Sequence, residues 1–267
     1  MLENIRYLPE GKKIYVASDF HLGAAYIGAN RKRERTIVNW LKMIERDAFA
    51  IVLLGDVFDF WFEYGRVIPK GFIRLQGKLA ELSDRGIQVA MFTGNHDMWM
   101  RDYFPSELGI PVYKEPISLT INGIRIQMGH GDGLGPGDYK YKLLKKLFRN
   151  RLLQWAFGWI HPDWGIRLAT KWSDHSRESS VLNEKPFMGS REYLFQYCLE
   201  VEKTDHHDYY VFGHRHLPIE MEISHNSRYI NVGEWINFYT YAVFDGQKFS
   251  LLSYKDEPVA TSVKATQ

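Results

Sequence analysis

Residues 89–97 read Val-Ala-Met-Phe-Thr-Gly-Asn-His-Asp, a short apolar run that stops at a glycine and passes into three polar side chains. A short apolar run bounded by a turn is typical of a buried strand. The same pattern occurs at Lys13–Ser18 and Ala50–Leu54, and helical spacing of apolar residues fills Arg33–Asp47 and Phe72–Arg85. Strands that alternate with helices indicate an α/β protein built from stacked β-α-β units, with a sheet covered on both faces.

The second part of the chain is richer in strands. Ile117–Ile121 and Ile124–Met128 flank Asn122-Gly123, which is the pattern of a two-residue hairpin. Further strands are predicted at Tyr209–Phe212, Ile219–Ile223, Tyr229–Val232, Tyr239–Phe244 and Lys248–Ser253. Residues 139–203 look mostly helical, and Glu257–Gln267 has the composition of a loose tail. The sequence therefore predicts an α/β part, a β-rich part and a helical segment between them.

The composition is that of a folded protein rather than a disordered one, with 267 residues of which 45% are apolar and 25% charged. The single cysteine, Cys198, excludes an internal disulfide. No apolar run approaches the roughly 18 residues of a membrane span, and the charged segment Met1–Lys13 does not resemble a signal peptide. We therefore expect a cytoplasmic protein. The net charge of +2 does not indicate a nucleic-acid partner.

Positive charge is concentrated in one segment. Between Gly137 and Trp172 the net charge is +6, so the rest of the chain sums to −4, and the same segment holds four of the eight tryptophans. Basic helices with tryptophan are typical of membrane interfaces. The apolar residues of this segment line an acyl-chain cleft or meet a bilayer, or else form the core of the segment itself. They are Leu143, Leu144, Leu147, Phe148, Leu152, Leu153, Trp155, Phe157 and Ile160.

Five short motifs of aspartate, asparagine and histidine stand at the ends of predicted strands. They are Asp19-Phe20-His21, Gly55-Asp56, Gly94-Asn95-His96-Asp97, Gly129-His130-Gly131-Asp132 and Gly213-His214-Arg215-His216. Each motif alone is also typical of a turn or a helix cap, but ligands of open α/β sheets bind beyond the carboxyl ends of the strands. Oxygen and imidazole donors without a thiolate suit manganese, iron, nickel or zinc. Seven such donors exceed one tetrahedral site and fit two ions that share a carboxylate.

The ordered set of motifs resembles the five signature blocks of the calcineurin-like metallophosphoesterases, over about residues 13–240. The resemblance implies a four-layer αββα sandwich that forms a single domain over residues 1–267. It also implies that the helical basic segment, at about residues 136–190, is an insert that acts as a lid over the active site. We call this segment the insert.

The resemblance also implies a dinuclear site. The first metal would be held by Asp19, His21, Asp56 and His216, and the second by Asp56, Asn95, His130 and His214. The two divalent ions would be manganese, with iron, zinc or nickel as alternatives.

His96 and Asp97 are the residues that the resemblance places in catalysis. Held by Asp97, His96 would stabilise the phosphoryl oxygens or protonate the leaving group. A purely structural histidine is the alternative.

A finer resemblance concerns the substrate. Leu54–Trp61, His130–Leu134 and Arg167–Arg177 resemble blocks of the UDP-2,3-diacylglucosamine hydrolases, the subfamily that cuts a pyrophosphate in lipid A biosynthesis to give UMP and 2,3-diacylglucosamine 1-phosphate. The residues implied in substrate binding are Asp138, Tyr141, Lys171, Ser176 and Arg177. This resemblance implies a lipid-linked UDP-sugar as substrate and a protein peripheral on the inner membrane, with no nucleic-acid partner. It does not indicate an oligomeric state.

One residue departs from that subfamily, because its well-known members have arginine where this chain has His96. The leaving group of a pyrophosphate is already a stabilised phosphate, so the chemistry does not demand a histidine acid. The Gly-Asn-His-Asp form is that of generic phosphodiesterases of the superfamily. A nuclease or a cyclic-nucleotide phosphodiesterase therefore stays open as an alternative, whereas a non-catalytic scaffold is disfavoured because all seven ligand positions are intact.

Overall fold

Two β-sheets form the centre of the protein. The computed structural model describes residues 2–24, 30–137, 139–169, 171 and 186–255. The strands are β1 (Lys13–Ala17), β2 (Ala48–Leu53), β3 (Gln88–Phe92), β4 (Val112–Tyr113), β5 (Ile117–Ile121), β6 (Ile124–Gly129), β7 (Tyr209–Phe212), β8 (Pro218–Ser224), β9 (Ser227–Val232), β10 (Thr240–Phe244) and β11 (Phe249–Ser253). The first sheet has the order β11-β10-β1-β2-β3-β4, and the second has the order β5-β6-β7-β9-β8.

The helices that cover the outer faces of the two sheets are α1 (Asn30–Ile44), α2 (Ile73–Asp84), α3 (Tyr103–Leu108) and α7 (Tyr193–Glu202). Helices α4 (Tyr139–Phe148), α5 (Arg151–Phe157) and α6 (residues 162–169) belong to the insert. Trp40 of α1, Leu79 of α2 and Phe104 of α3 belong to the apolar cluster on the first sheet. Leu194 and Cys198 of α7 belong to the cluster on the second sheet. The layers are therefore helix, sheet, sheet, helix, which confirms the predicted αββα architecture.

The alternation of side chains along the strands explains why the sheets pack together. In β2, Ile51 and Leu53 lie in the cluster that faces the helices, whereas Val52 lies between the two sheets. Val52 shares this second cluster with Met128 of β6 and Val211 of β7. The expectation of a sheet covered on both faces is therefore confirmed, with helices on the outer face of each sheet and the other sheet on its inner face.

The chain does not separate into an α/β part and a β-rich part. Strand β10 pairs antiparallel with β1, so the last hairpin completes the first sheet. The predicted hairpin between β5 and β6 is confirmed, with φ of 52° at Asn122 and 83° at Gly123, as a turn with two left-handed residues requires. Helix α3 and strand β4 were not predicted, because six and two residues are too short to show a periodic pattern.

The topology places the predicted motifs on one edge of the molecule. Strands β1, β2 and β3 are parallel neighbours in the first sheet, and β6 and β7 are parallel neighbours in the second. Each of these five strands is followed by one of the motifs. Because the carboxyl ends of parallel strands lie at the same edge of a sheet, the five loops meet beyond the two packed sheets.

Helices α4, α5 and α6 lie between β6 and β7, as the sequence predicts for the insert. None of the described side chains of α4 or α5 is buried, so these helices form no core of their own. Phe148 and Phe157 rest on Trp99, with ring centroids 5.6 and 5.0 Å from it. Among the described residues, no helix combines the length and the apolar character needed to cross a bilayer.

Candidate metal centre

Four of the predicted ligands form one cluster. Asp19, His21, Asp56 and His216 each offer a donor atom, and these atoms lie within 4.8 Å of one another. His216 Nε2 is 3.1 Å from Asp19 Oδ1 and 3.0 Å from His21 Nε2. His21 Nε2 is also 3.8 Å from Asp56 Oδ2. The structure therefore brings together the four residues predicted for the first metal.

A second cluster begins at the same aspartate. His130 Nε2 lies 3.4 Å from Asp56 Oδ2 and 3.2 Å from Asn95 Oδ1. His214 Nδ1 lies 3.0 Å from that Asn95 oxygen. These four residues are the ones predicted for the second metal. The two clusters share Asp56, which is the arrangement that a bridging carboxylate requires.

The backbone at these ligands is strained in a consistent way. The residues with left-handed φ include Asp19 at 57°, His21 at 45°, Asp56 at 50°, His214 at 68° and His216 at 56°. This region costs a residue with a Cβ about 1–2 kcal/mol. Such strain persists where the surrounding structure enforces it, and it concentrates at functional sites. Five of the seven candidate ligands therefore lie in strained loop conformations that lower the stability of the fold and orient their side chains toward the site.

The electrostatics of the two clusters fit a cation. Burial raises the pKa of Asp19 and Asp56, but neighbouring histidines outweigh burial and hold both pKa values below the usual range. Burial likewise opposes the charge on His130, yet Asp56 outweighs it and raises the pKa of His130 to about 10. Burial lowers the pKa of His214 to about 4, which leaves it neutral, as a metal ligand must be.

An unsatisfied oxygen gives the same indication. Asp19 Oδ1 is buried and lies 3.1 Å from Nε2 of His216, but it accepts no well-aligned hydrogen bond from a described residue. A buried carboxylate oxygen without such a bond is costly unless a cation compensates it. Divalent ions coordinated by these oxygen and imidazole donors would supply that compensation. The residues present therefore fit two divalent metals.

The carboxylate of Asp97 is not where the sequence predicts it. Its oxygens accept the backbone N–H groups of Gly94 at 2.7 Å and Val57 at 2.8 Å, with longer bonds from Asp56 and Phe58. The prediction that Asp97 holds the ring of His96 is therefore wrong. Burial, followed by the charge of Asp56, raises the pKa of Asp97 to about 7. Asp97 instead ties the loop after β2 to the loop after β3.

Asp59 is the partner of His96 that the sequence analysis missed. The ring Nδ1 of His96 lies 3.1 Å from the backbone carbonyl oxygen of Asp59. A carbonyl only accepts, so Nδ1 carries the proton. The buried Asp59 carboxylate lies 3.7 Å from Nδ1 of His21 and 3.8 Å from Nδ1 of His96. Its position three residues after Asp56, in the same loop, was a signal that could have found it.

The structure describes two of the five residues predicted to bind substrate, Tyr141 and Lys171. The hydroxyl of Tyr141 donates a 2.6 Å hydrogen bond to Oδ2 of the buried Asp132, and Lys171 is exposed after α6. Asp138, Ser176 and Arg177 lie outside the described residues. Asp132 was quoted in a motif but given no role, and the structure shows that it binds the insert.

A cleft of about 1020 Å³ lies between the insert and the loop that follows His96. Its lining includes Met98, Arg101, Lys114, Arg151 and Trp155. Glu63, Asp102 and Glu115 also line it, so the cleft presents charges of both signs together with apolar surface, beside the loop that carries Asn95 and His96.

The fold and the paired clusters define the class of protein. Residues 12–218 match the family model of the calcineurin-like phosphoesterases, and the chain belongs to this family. Its members are phosphohydrolases that use divalent metals, and the clustered donors described above are consistent with that chemistry.

Proteins similar to this chain include named enzymes and one solved phosphoesterase structure. A UDP-2,3-diacylglucosamine hydrolase of Porphyromonas gingivalis is 37% identical over 261 residues, which cover 91% of this chain and 98% of the relative. A UDP-2,3-diacylglucosamine hydrolase of Ectopseudomonas mendocina is 26% identical over 252 residues, which cover 92% and 99%. Among solved structures, the Escherichia coli phosphoesterase Yfce matches with a TM-score of 0.46 and 16% identity, covering 93% of this chain and 97% of its own.

Proposed function

We propose that this protein hydrolyses the pyrophosphate bond of UDP-2,3-diacylglucosamine, giving UMP and 2,3-diacylglucosamine 1-phosphate. The observation that carries the proposal is the position of the insert. Its helices expose apolar side chains and are fastened through Asp132 and Trp99 to the loops that bear His130 and His96. A phosphohydrolase site bordered by an apolar, basic element suits a substrate that is anionic at one end and lipid at the other. The relative that is 37% identical carries the corresponding name.

Two divalent ions belong to the proposed mechanism. Asp19, His21, Asp56 and His216 would hold the first ion, and Asp56, Asn95, His130 and His214 would hold the second. When bound, such a pair supplies an activated water and neutralises charge on the phosphoryl oxygens. The donor set suits manganese, with iron, zinc and nickel as the alternatives. The hydrogen bonds that Asp97 accepts from Asp56 and Gly94 would fix the positions of Asp56 and Asn95 relative to each other.

His96 acts on the phosphoryl group of the substrate in this proposal. Its side chain is 16% exposed, and its Nδ1–H is anchored on the carbonyl of Asp59, so the Nε2 edge is the one that meets the substrate. The departing phosphate needs little help from an acid. We therefore assign His96 to stabilising negative charge on a phosphoryl oxygen.

The insert supplies the lipid-binding surface in this proposal. Leu143 is 63% exposed, Leu152 68%, Trp159 76% and Trp164 71%. Because α4 and α5 bury none of their described side chains, an acyl cleft or a bilayer contact is favoured over an internal core. Basic side chains near anionic headgroups contribute about 1 kcal/mol each. The insert thus caps the site of a single domain, and the enzyme works peripherally on the inner membrane.

The head group of the substrate is assigned to the residues that the sequence implies in substrate binding. Tyr141 and Lys171, together with Asp138, Ser176 and Arg177, contact the sugar and phosphates in this proposal. Tyr141 must exchange its bond with Asp132 to do so, because its hydroxyl donates to that carboxylate in the present structure.

Release of UMP from UDP-2,3-diacylglucosamine in the presence of Mn²⁺ tests the function. We expect turnover by the wild type and by Asp84→Asn, which changes an exposed carboxylate at the end of α2. Asp56→Asn should lose turnover, because it weakens the shared ligand of both clusters. Turnover by Asp56→Asn with its metals bound would contradict the mechanism. Hydrolysis of DNA, cyclic nucleotides or a simple phosphodiester without release of UMP would overturn the substrate.

The role of His96 has its own test. His96→Arg should keep most of kcat, since arginine also donates to a phosphoryl oxygen. His96→Ala should lower kcat by about 10²–10³, the usual effect of removing one stabilising donor. If His96→Arg is as inactive as His96→Ala, the side chain acts as a proton donor instead.

A further inference from the structure

Helix α4 is fastened near its beginning to the loop that carries His130. Asp132, two residues after His130, is buried and accepts the hydroxyl of Tyr141 at 2.6 Å. The ammonium group of Lys145 lies 2.6 Å from the same carboxylate oxygen and donates to the backbone carbonyl of Asp132 at 2.8 Å. Bonds to a charged, buried acceptor are stronger than neutral ones. Tyr141 and Lys145 therefore bind α4 firmly to a loop of the metal centre.

The end of α4 is fastened to a different loop of the metal centre. Trp99 lies four residues after Asn95, and its Nε1–H donates a 2.8 Å hydrogen bond to the carbonyl of Phe148, the last residue of α4. The ring of Trp99 also packs against Phe148 and against Phe157 of α5. Helix α4 thus joins the loop of Asn95 to the loop of His130, and both residues are candidate ligands of the second metal.

The first metal cluster is supported in another way. The backbone N–H of Asp19 donates to the carbonyl of Gly55 at 3.1 Å, and that of His21 donates to the carbonyl of Asp56 at 2.9 Å. The buried Arg33 of α1 donates to the carbonyl of His21 at 2.8 Å. These bonds hold Asp19 and His21, the two ligands that belong to the first cluster alone on this sheet, and they do not involve the insert.

We propose that Lys145 and Trp99 are positioning residues that act through α4 to set the affinity of the second metal site and not that of the first. Metal sites tolerate errors of only about 0.2 Å in ligand distance, and the groups that orient the ligands affect affinity strongly. Releasing either end of α4 lets the loops of Asn95 and His130 move apart. The inference rests on the dinuclear site of the proposed function, but it does not depend on the identity of the substrate.

A titration of the metal-free protein with Mn²⁺ tests this inference, read by calorimetry and by the electron paramagnetic resonance of the coupled ion pair. For Lys145→Met we expect the second ion to bind about tenfold more weakly, equivalent to about 1.4 kcal/mol, with the first unchanged. Lys146→Met is the matched control, because Lys146 is the next residue of α4 and is exposed. Lys145→Arg should restore the wild-type titration, since it keeps the ion pair with Asp132.

Trp99→Phe provides an independent test, because it removes the bond to Phe148 while retaining an aromatic ring on Phe157. Trp99→Phe should also weaken the binding of the second Mn²⁺ ion. A thermal melt of the metal-free protein checks that the variant is folded. Unchanged binding of both ions in Lys145→Met and Trp99→Phe, or equal weakening of both ions, would overturn the inference. Failure of the proposed function would show differently, as two bound ions without release of UMP.

Discussion

Gly94 is the position at which one added methyl group should disable both metal clusters. It lies between β3 and Asn95, and its backbone N–H donates to Asp97. A Cβ on Gly94 would lie 2.6 Å from the backbone nitrogen of Asp56 and 2.7 Å from its carboxyl carbon. Gly94 is not among the glycines with left-handed φ, so the cost of Gly94→Ala is steric rather than conformational.

The size of the effect follows from these distances. Ordinary contact begins at 3.4 Å, so the carboxyl carbon of Asp56 must move by 0.7 Å. This displacement exceeds several-fold the error of about 0.2 Å that a metal site tolerates. Because Asp56 belongs to both clusters, we expect both ions to bind at least about 100-fold more weakly, the upper end of what altered support of a ligand costs. Overpacking should also destabilise the metal-free fold by about 1–3 kcal/mol.

Calorimetric titration with Mn²⁺ and the rate of UMP release measure the effect of Gly94→Ala. The matched control is Gly77→Ala in α2, because nothing lies within 4 Å of a Cβ at Gly77. That substitution should leave metal binding unchanged and stabilise the fold by about 0.5–1 kcal/mol. If Gly94→Ala binds two Mn²⁺ ions with wild-type affinity, Asp56 does not occupy the shared position that the structure assigns to it.

Three further predictions concern metal removal, helix capping and the insert. Chelation of the divalent ions should lower the melting temperature, since ions at 100 times their dissociation constant contribute about 2.7 kcal/mol; an unchanged calorimetric melt would contradict the two-ion site. Glu34→Ala removes the buried carboxylate that accepts the N–H groups of Arg74 and Leu75 at the start of α2, so urea unfolding should show a loss of about 1–2 kcal/mol, whereas a wild-type midpoint would refute this cap. Trp159→Ser should leave stability within about 0.5 kcal/mol but weaken sedimentation with anionic vesicles; equal sedimentation would exclude Trp159 from the membrane contact.

The sequence predicted which polar residues come together, because each of them follows a buried strand. Short apolar runs such as Ala50–Leu54 are recognisable on their own, and the parallel order of the strands brings their ends together. The pairing of β10 with β1 joins segments more than 200 residues apart, and no local pattern encodes such a contact. For that reason the five motifs meet as the sequence predicts, whereas the predicted division into two parts was wrong.

The misplaced role of Asp97 has a local cause. Asp97 follows His96 directly, which suggested contact, but its carboxylate turns back to accept N–H groups from Gly94 and from Val57. The left-handed φ of 50° at Asp56 directs the loop after β2 toward these oxygens. The imidazole of His96 is instead hydrogen-bonded through Nδ1 to the backbone carbonyl of Asp59. Dihedral angles of this kind depend on neighbouring loops and cannot be read from residue order.

Some of the basic residues of the insert are paired with groups of the core, and their charge is not available to a membrane. Between Gly137 and Trp172 the sequence sums to +6, which alone suggests one basic surface. Yet Lys145 is paired with Asp132, and Arg149 is paired with Glu115 and donates to the carbonyl of Lys114. These two cations fasten the insert to the core, and their charge is compensated there. In the proposed membrane contact, the attraction to anionic lipids would come from the other basic residues of the insert. Its dependence on ionic strength should then be weaker than a charge of +6 would give.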